Sequence, residues 1–268
     1  MKKILLFICL FNVHLLSSSL EVGLGGLKFN YNEYTDNGNW FNSEKNSGYE
    51  LNGGFVKYRH DLGILKEEDI TYQQKLEIYY SFHLNTTDYD GSLSNGDPYQ
   101  GKTDNYLHQG HVRYHAINKI ENYELGLFLG LGYRYWDRDL LGQYGYLETY
   151  QWPYYEVGLS WKWFDGNYFM GASASYQKAY KPTMIAYTRN KTNIGRDLDF
   201  DLGDTKGYKI DIPIGYQINN NWDITLHYIY DVWDIQRSNT LATNTGTAYE
   251  PTSETKNKYT YISLEYRF

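Results

Sequence analysis

From residue 105 onward, apolar side chains recur at every second position, one segment after another. In residues 123–136 the odd positions are Tyr123, Leu125, Leu127, Leu129, Leu131, Tyr133 and Tyr135. The even positions are Glu124, Gly126, Phe128, Gly130, Gly132, Arg134 and Trp136. A helix stripe repeats every 3.6 residues, whereas strict alternation puts one greasy and one small or polar face on a strand. The same alternation predicts strands over Tyr155–Trp163, Tyr168–Gln177, Tyr208–Ile218, Trp222–Val232 and Lys258–Phe268. It is noisier in the first half of the chain, where Leu76, Ile78, Tyr80, Phe82 and Leu84 still alternate with Lys75, Glu77, Tyr79, Ser81 and His83, and Val112, Tyr114 and Ala116 with His111, Arg113 and His115. Segments 20–34 and 48–60 complete a set of ten. Their parity is expected to slip at bulges on Gly25-Gly26 and Gly53-Gly54, and Pro213, which cannot donate to a ladder, predicts a further bulge or local distortion.

Ten strands with one continuous greasy face constrain the fold class to all-β, and the greasy face implies hydrocarbon. The mean hydropathy of −0.65 is polar for a membrane protein. A transmembrane barrel reconciles the two, because its strands alternate lipid-facing and lumen-facing residues. Closure follows from energetics, since an open edge would leave backbone groups unpaired in lipid. Connection lengths agree. The links at 60–69, 117–122, 164–167 and 218–221 are short, and those at 35–47, 85–105, 136–149, 178–206 and 234–256 are long and rich in Asp, Asn, Thr and Gly. Short periplasmic turns alternating with five long external loops are the pattern of a closed antiparallel barrel of the outer-membrane type.

The ends agree with export. Residues 1–19 carry Lys2 and Lys3, an apolar run from Ile4 to Leu16, then Ser17 and Ser19. This reads as a signal peptide cut before Leu20, leaving 20–268 as the barrel. No segment is long and apolar enough for a membrane helix. The only cysteine, Cys9, falls in the export segment and reads as a small hydrophobe. The last strand closes on Tyr266 and Phe268, which resembles the carboxy-terminal signal that outer-membrane barrels present to their assembly machinery. Outer-membrane lipid and that machinery are the expected partners, with an extracellular ligand for the loops. The net charge of −7, about −9 without Lys2 and Lys3, argues against nucleic acid, whose phosphates need the opposite sign.

Candidate chemistry falls in three places. Aromatics at strand ends (Tyr123, Tyr133, Trp161, Trp163, Tyr168, Tyr176, Trp222, Phe268) suit the two interfacial girdles, and Trp40 and Tyr99 in loops suit carbohydrate stacking. The polar face carries Lys75, Glu77, His111, Arg113, His115, Glu124, Arg134, Glu156, Lys162, Lys209, Asp211, Asp223, His227, Asp231, Glu265 and Arg267. A barrel of this size is mostly filled by side chains, so these residues are expected to form an ion-paired core or to line a narrow selective path. His111 and His115 stand four residues apart, about 13 Å along a strand, too far to share one ion. Asp197, Asp199, Asp201 and Asp204 resemble a calcium loop, but Leu202 and Tyr208 occupy the positions that an EF-hand gives to glycine and a bidentate Glu. No metal or cofactor is expected.

In topology, loop sizes and strand character, including the stretch Tyr150-Gln-Trp-Pro-Tyr-Tyr-Glu-Val-Gly, the second half of the chain resembles the omptin family of outer-membrane proteases. The resemblance implies a water-activating site built from two aspartates in the second external loop and an Asp–His dyad in the fourth. Asp88 and Asp90 stand where the first pair would lie. The segment Ala179–Arg189 offers no Asp-x-His and no histidine. Two readings result: a non-enzymatic surface-exposed structural or binding protein or narrow pore, and alternatively a divergent omptin-like endopeptidase.

Overall fold

The computed structural model describes residues 17–268 apart from 47, 49, 68, 69, 93–96, 144, 190, 191, 193 and 245. Cys9 and most of the expected export segment lie outside the described residues. The described strands, in chain order, are β1 Ser18–Lys28, β2 Asn30–Tyr34, β3 Trp40–Lys45, β4 Gly53–Glu67, β5 Ile70–Ser92, β6 Pro98–Ile120, β7 Tyr123–Leu140 and β8 Leu147–Asp165. They continue with β9 Tyr168–Ala179, β10 Thr183–Ala186, β11 Leu198–Asp201, β12 Lys206–Gln217, β13 Trp222–Ile235, β14 Leu241–Thr243, β15 Gly246–Ala248 and β16 Thr252–Arg267.

Ten of these close a ring in the order β1-β4-β5-β6-β7-β8-β9-β12-β13-β16, each antiparallel to its neighbours. The seam is the pairing of first and last strands, Ser19 with Arg267 through Lys28 with Lys258. Backbone bonds from Ser18 N to Phe268 O (3.1 Å) and from Phe268 N to Ser18 O (2.9 Å) finish it. The fold is thus a closed barrel, and every strand in it finds both partners.

At the end carrying the long connections the wall continues upward with offsets. β2 prolongs β1 and pairs β16, β3 returns beside it to pair β5, and β10 and β11 add onto β8. Two expected loops are therefore largely strand: β5 and β6 pair from Asn85–Asn105 to Ser92–Pro98, and β7 runs to Leu140. The alternation fades there because the outer face no longer meets lipid, while the ladder persists.

The expected bulges at the glycine pairs are not found. Register through Gly25-Gly26 and Gly53-Gly54 is unbroken, and the shift lies between Asp61 and Gly63 of β4, where Gly63 has φ +112°. What resembled a slip at Leu27 is a change of environment: Leu27, Phe29 and Tyr31 still point inward, into an apolar interior. Pro213 interrupts pairing with β9 for two residues but keeps the register on both sides and stays in the β13 ladder, so it causes a local gap without a bulge.

Outward residues such as Leu129, Leu131, Leu159, Ile214 and Ile262 are exposed in a continuous apolar band. Aromatics rim it, with Trp222 and Tyr266 at 4.8 Å and Tyr168 and Tyr216 at 5.0 Å at the short-turn end, and Tyr176 and Tyr208 at 5.4 Å at the other. Inside the band, glycines face rings across the ladder in four register pairs: Gly23–Phe55, Gly132–Tyr154, Gly158–Phe128 and Gly215–Phe169. At each, a Cβ would fall within the ring, so the missing side chain is what lets a large aromatic lie across the lumen.

Candidate functional site in the barrel interior

The sixteen charged residues expected on the inner face all lie there, and they sort into layers. In the layer nearest the short turns, Glu77 is the hub. It accepts from Arg59 (3.1 Å), Arg113 (3.3 Å) and His111 (3.2 Å), and His115 stands 3.9 Å from the same oxygen as His111. The 13 Å spacing along the strand is thus overcome by side chains that lean towards one carboxylate, although none of the described clusters of His, Cys, Asp and Glu is arranged to hold a metal. Arg113 also grips Glu156 through two bonds of 2.8 Å. His227 sits between Glu21 (2.7 Å) and Asp211 (3.2 Å), Glu265 accepts from Arg59 (3.0 Å) and Ser19 (2.5 Å), and Arg267 pairs Asp223 at 2.5 Å. Lys75 reaches Asp61 at 3.7 Å. Lys162, Lys209 and Glu124 line the same cavity, of about 190 Å³.

Glu21, Lys57 and Arg59 belong to this network but were absent from the sequence-based set. Lys57 and Arg59 do alternate with Val56 and Tyr58, a signal hidden by the supposed slip at Gly53-Gly54.

In the next layer side chains from opposite walls meet. Arg134 of β7 meets Asp231 of β13 at 3.1 Å, across four strands of a ten-strand ring, and both are fully buried. Trp152 lies 5.3 Å and Tyr154 5.4 Å from Trp233, while Trp136 stacks on Tyr150 at 4.5 Å and meets Phe29 at 5.5 Å. Trp136, Trp152 and Trp233 each have no exposed surface.

Above the apolar band, a third layer holds one arginine and four carboxylates. Arg138 contacts Glu44 at 2.6 Å, Glu33 at 3.4 Å and also Glu148, and its guanidinium lies 4.9 Å from the Tyr31 ring. Glu250 accepts from Tyr150 (2.6 Å) and Tyr31 (3.2 Å). All four glutamates are at most 5% exposed. Burial, which disfavours the ionised form, raises the Glu33 and Glu250 carboxyls above the usual range, and the neighbouring Glu148 adds to it. Three carboxylates keep the Arg138 guanidinium protonated against the same burial. Sequence reasoning missed this cluster because Glu44, Arg138, Glu148 and Glu250 come from segments read as loops, and Glu33 lies near the end of a strand segment whose parity was read as slipping.

Asp88 and Asp90 lie outside all three layers. They share the outer face of β5 with Tyr80, Phe82 and Leu84, and Asp88 pairs Lys102 at 2.9 Å. Among the described residues neither has a histidine within ion-pair reach. Trp40 is exposed, whereas the Tyr99 hydroxyl donates to Leu141 O at 3.2 Å. In the calcium-like stretch, Leu198 and Phe200 are buried and Asp199 and Asp201 exposed, which is strand alternation; Asp197 and Asp204 pair separately with Arg189 and Lys178. Tyr266 and Phe268 stand exposed on the lipid-facing side, 5.9 Å apart.

No protein-family model matches the chain, and no curated protein matches it. Among solved structures it is similar to the outer membrane protease OmpT from Escherichia coli, with 13% identity, 94% of this chain and 97% of that chain covered, and a TM-score of 0.63. Looser likenesses are the translocator domain of the autotransporter NalP from Neisseria meningitidis (13% identity, 93% and 88% covered, TM-score 0.46) and the Pseudomonas putida toluene transporter TodX (10%, 94% and 89%, 0.35). The fold is that of an outer-membrane β-barrel, omptin-like in topology.

Proposed function

We propose that this chain is a closed, non-conducting barrel of the bacterial outer membrane that works through the collar above its apolar band, as a surface-displayed binding or structural protein. The Arg134–tryptophan layer supports this most directly, because groups from walls four strands apart touch across the lumen and leave its tryptophans no exposed surface. Single-channel recording in a planar bilayer tests the reading, using refolded protein whose barrel is verified by a heat-dependent gel shift. Silence is the expected result, and discrete steps whose ion selectivity changes when Arg113 or Lys209 is neutralised would establish a pore instead.

Export and insertion are part of the same proposal. The amino-terminal segment acts as a signal peptide, and the last strand with Tyr266 and Phe268 is what the assembly machinery takes. The sequence pattern puts the cut before Leu20, but the contacts of Ser18 Oγ with His60 Nδ1 at 2.9 Å and of Ser19 Oγ, which donates to Glu265, support a proposed cut before Ser18 instead. Amino-terminal sequencing of the mature protein checks that boundary. The hydrolase alternative rests on the fold alone, because Asp88 and Asp90 project outward and, among the described residues, neither has a histidine within ion-pair reach.

A further inference from the structure

The cavity near the short turns has two cations that its own side chains leave without an ion pair. Of the six Lys and Arg in its lining, Lys57, Arg59 and Arg113 meet Glu21, Glu77, Glu265 or Glu156, and Lys75 meets Asp61. Glu21, Glu77, Glu265 and Asp211 are each engaged by a basic side chain, and Glu156, just beyond, is held by Arg113 and Ser175. Two cations are left over. Lys209 is 8% exposed, and among the described residues it has no ion pair and no hydrogen bond; its ammonium lies 5.0 Å from the Tyr79 ring centroid. Lys162 likewise has no ion pair, although Glu124 stands opposite it in register, and its ammonium lies 3.9 Å from the Phe169 centroid. A ring face compensates a desolvated ammonium only in part, and an uncompensated one in a barrel interior is costly.

Access comes from one side. Interior side chains are fully buried at Arg134 and Asp231, but Arg59 retains 30% and Arg267 34% of its side-chain surface towards the short turns. In a barrel of this type that end faces the periplasm. A cavity of about 190 Å³ has room for an ion of several heavy atoms, a single water taking about 30 Å³ of liquid.

We propose that this cavity is a binding site for a small oxyanion, a carboxylate or a phosphate, which enters from the short-turn end and is held by Lys209 with Lys162 below it. The anion supplies the partner that the protein withholds from these two ammonium groups, while the tryptophan layer prevents its passage across the membrane. The site is independent of the collar and of its proposed role.

Titration calorimetry on the refolded full barrel in zwitterionic detergent at low salt tests this, with inorganic phosphate and succinate as separate probes. Saturable binding of at least one is expected, and which one binds distinguishes the two chemistries. Lys209→Met is expected to weaken it at least tenfold, Lys162→Gln by a smaller factor, and Lys206→Gln, outside the cavity lining, not at all. Should Lys209→Met fail to give the gel shift of a folded barrel, Lys209→Arg, which keeps the charge, is expected to fold and to bind, and Lys162→Gln then carries the loss. Absence of saturable binding for both probes, or affinities unaltered by the Lys209 and Lys162 substitutions, would overturn the proposal.

Discussion

The same strands obey opposite rules at their two ends. Within the apolar band, β7 turns Leu125, Leu127, Leu129 and Leu131 outward and keeps Glu124 and three glycines inside; a few residues further on it turns Trp136 inward and Asp137 and Asp139 outward. β8 and β13 make the same change, with Leu159 and Leu226 outside and Trp152 and Trp233 inside. The strand parity never changes. Only the solvent does: hydrocarbon around the band demands an apolar exterior, and water around the collar demands an apolar core. The band is therefore held by its closed ladder and by ion pairs, and the collar by side-chain packing like that of a soluble domain. This difference can be tested one region at a time.

The largest effect is expected at Arg138, among the described residues the only cation held in contact with the collar glutamates. Arg138→Met leaves Glu44 and Glu148 buried with no cation in contact, a loss on the order of 3–5 kcal/mol. Limited proteolysis should then cut the collar while the heat-dependent gel shift of the band survives. Simultaneous loss of both would mean that collar and band fold as one cooperative unit. Gly132→Ala is the counterpart at the level of the band, because it drives a methyl into the Tyr154 ring from the neighbouring strand. Overpacking of this kind costs about 1–3 kcal/mol. It should lower the temperature at which the gel shift is lost, whereas Gly38→Ala, at an open site but with φ +76°, reports backbone strain alone in the β2–β3 turn.

Much of the band was legible in the sequence and little of the collar was. Leu, Ile and Tyr against Gly, Ser and charge is a strong period-2 signal, and it placed all sixteen lumen charges on the correct face. In the collar both faces are mixed: Glu33, Glu44 and Glu148 point inward with Tyr31 and Tyr150, and Asp88 and Asp90 point outward, so composition no longer reports direction. Reading apolar as outward throughout turned the inward Leu27 and Phe29 into an apparent register slip. The Arg138 cluster draws its members from β2, β3, β7, β8 and the segment before β16, a juxtaposition that only closure of the ring creates.

Acidity separates the two regions more gently. Burial raises the Glu33 and Glu250 carboxyl groups above the usual 4.5, with Glu148 adding to both and Glu33 to Glu250, while Arg138 and hydrogen bonds from Asn42, Tyr31 and Tyr150 oppose it. A carboxyl whose folded value exceeds its unfolded one binds its proton more tightly in the folded state. The stability it contributes is complete below about pH 4.5 and is lost as pH rises through the folded value, at no more than about 1.4 kcal/mol per pH unit for each group. Hydrogen exchange of collar amides is therefore expected to accelerate between acidic and neutral pH, and Glu250→Gln should flatten that dependence. A collar whose exchange, corrected for intrinsic chemistry, ignores pH would show that the four glutamates share their charge with Arg138 without strain.

The smallest effect belongs to the outer wall of the collar, and it also bears on catalysis. Asp88 and Lys102 form an ion pair in which both side chains are 63% exposed. Screening by water and salt reduces such a pair to between about 0 and 1 kcal/mol. Asp88→Asn should leave both the gel shift and the proteolytic pattern of the collar unchanged, and adding Asp90→Asn should do no more. The same double variant serves as a functional probe, because carboxylates with so little structural role have nothing to lose except a reaction. If the wild-type protein cleaved basic peptides and the double variant did not, the outer face of β5 would be an active surface and the binding reading of the collar would fail. Equal behaviour of the two proteins, with no cleavage by either, leaves these aspartates as solvated charges that keep the exposed wall soluble, which is the role of the outward side in a region that hides its apolar side chains within.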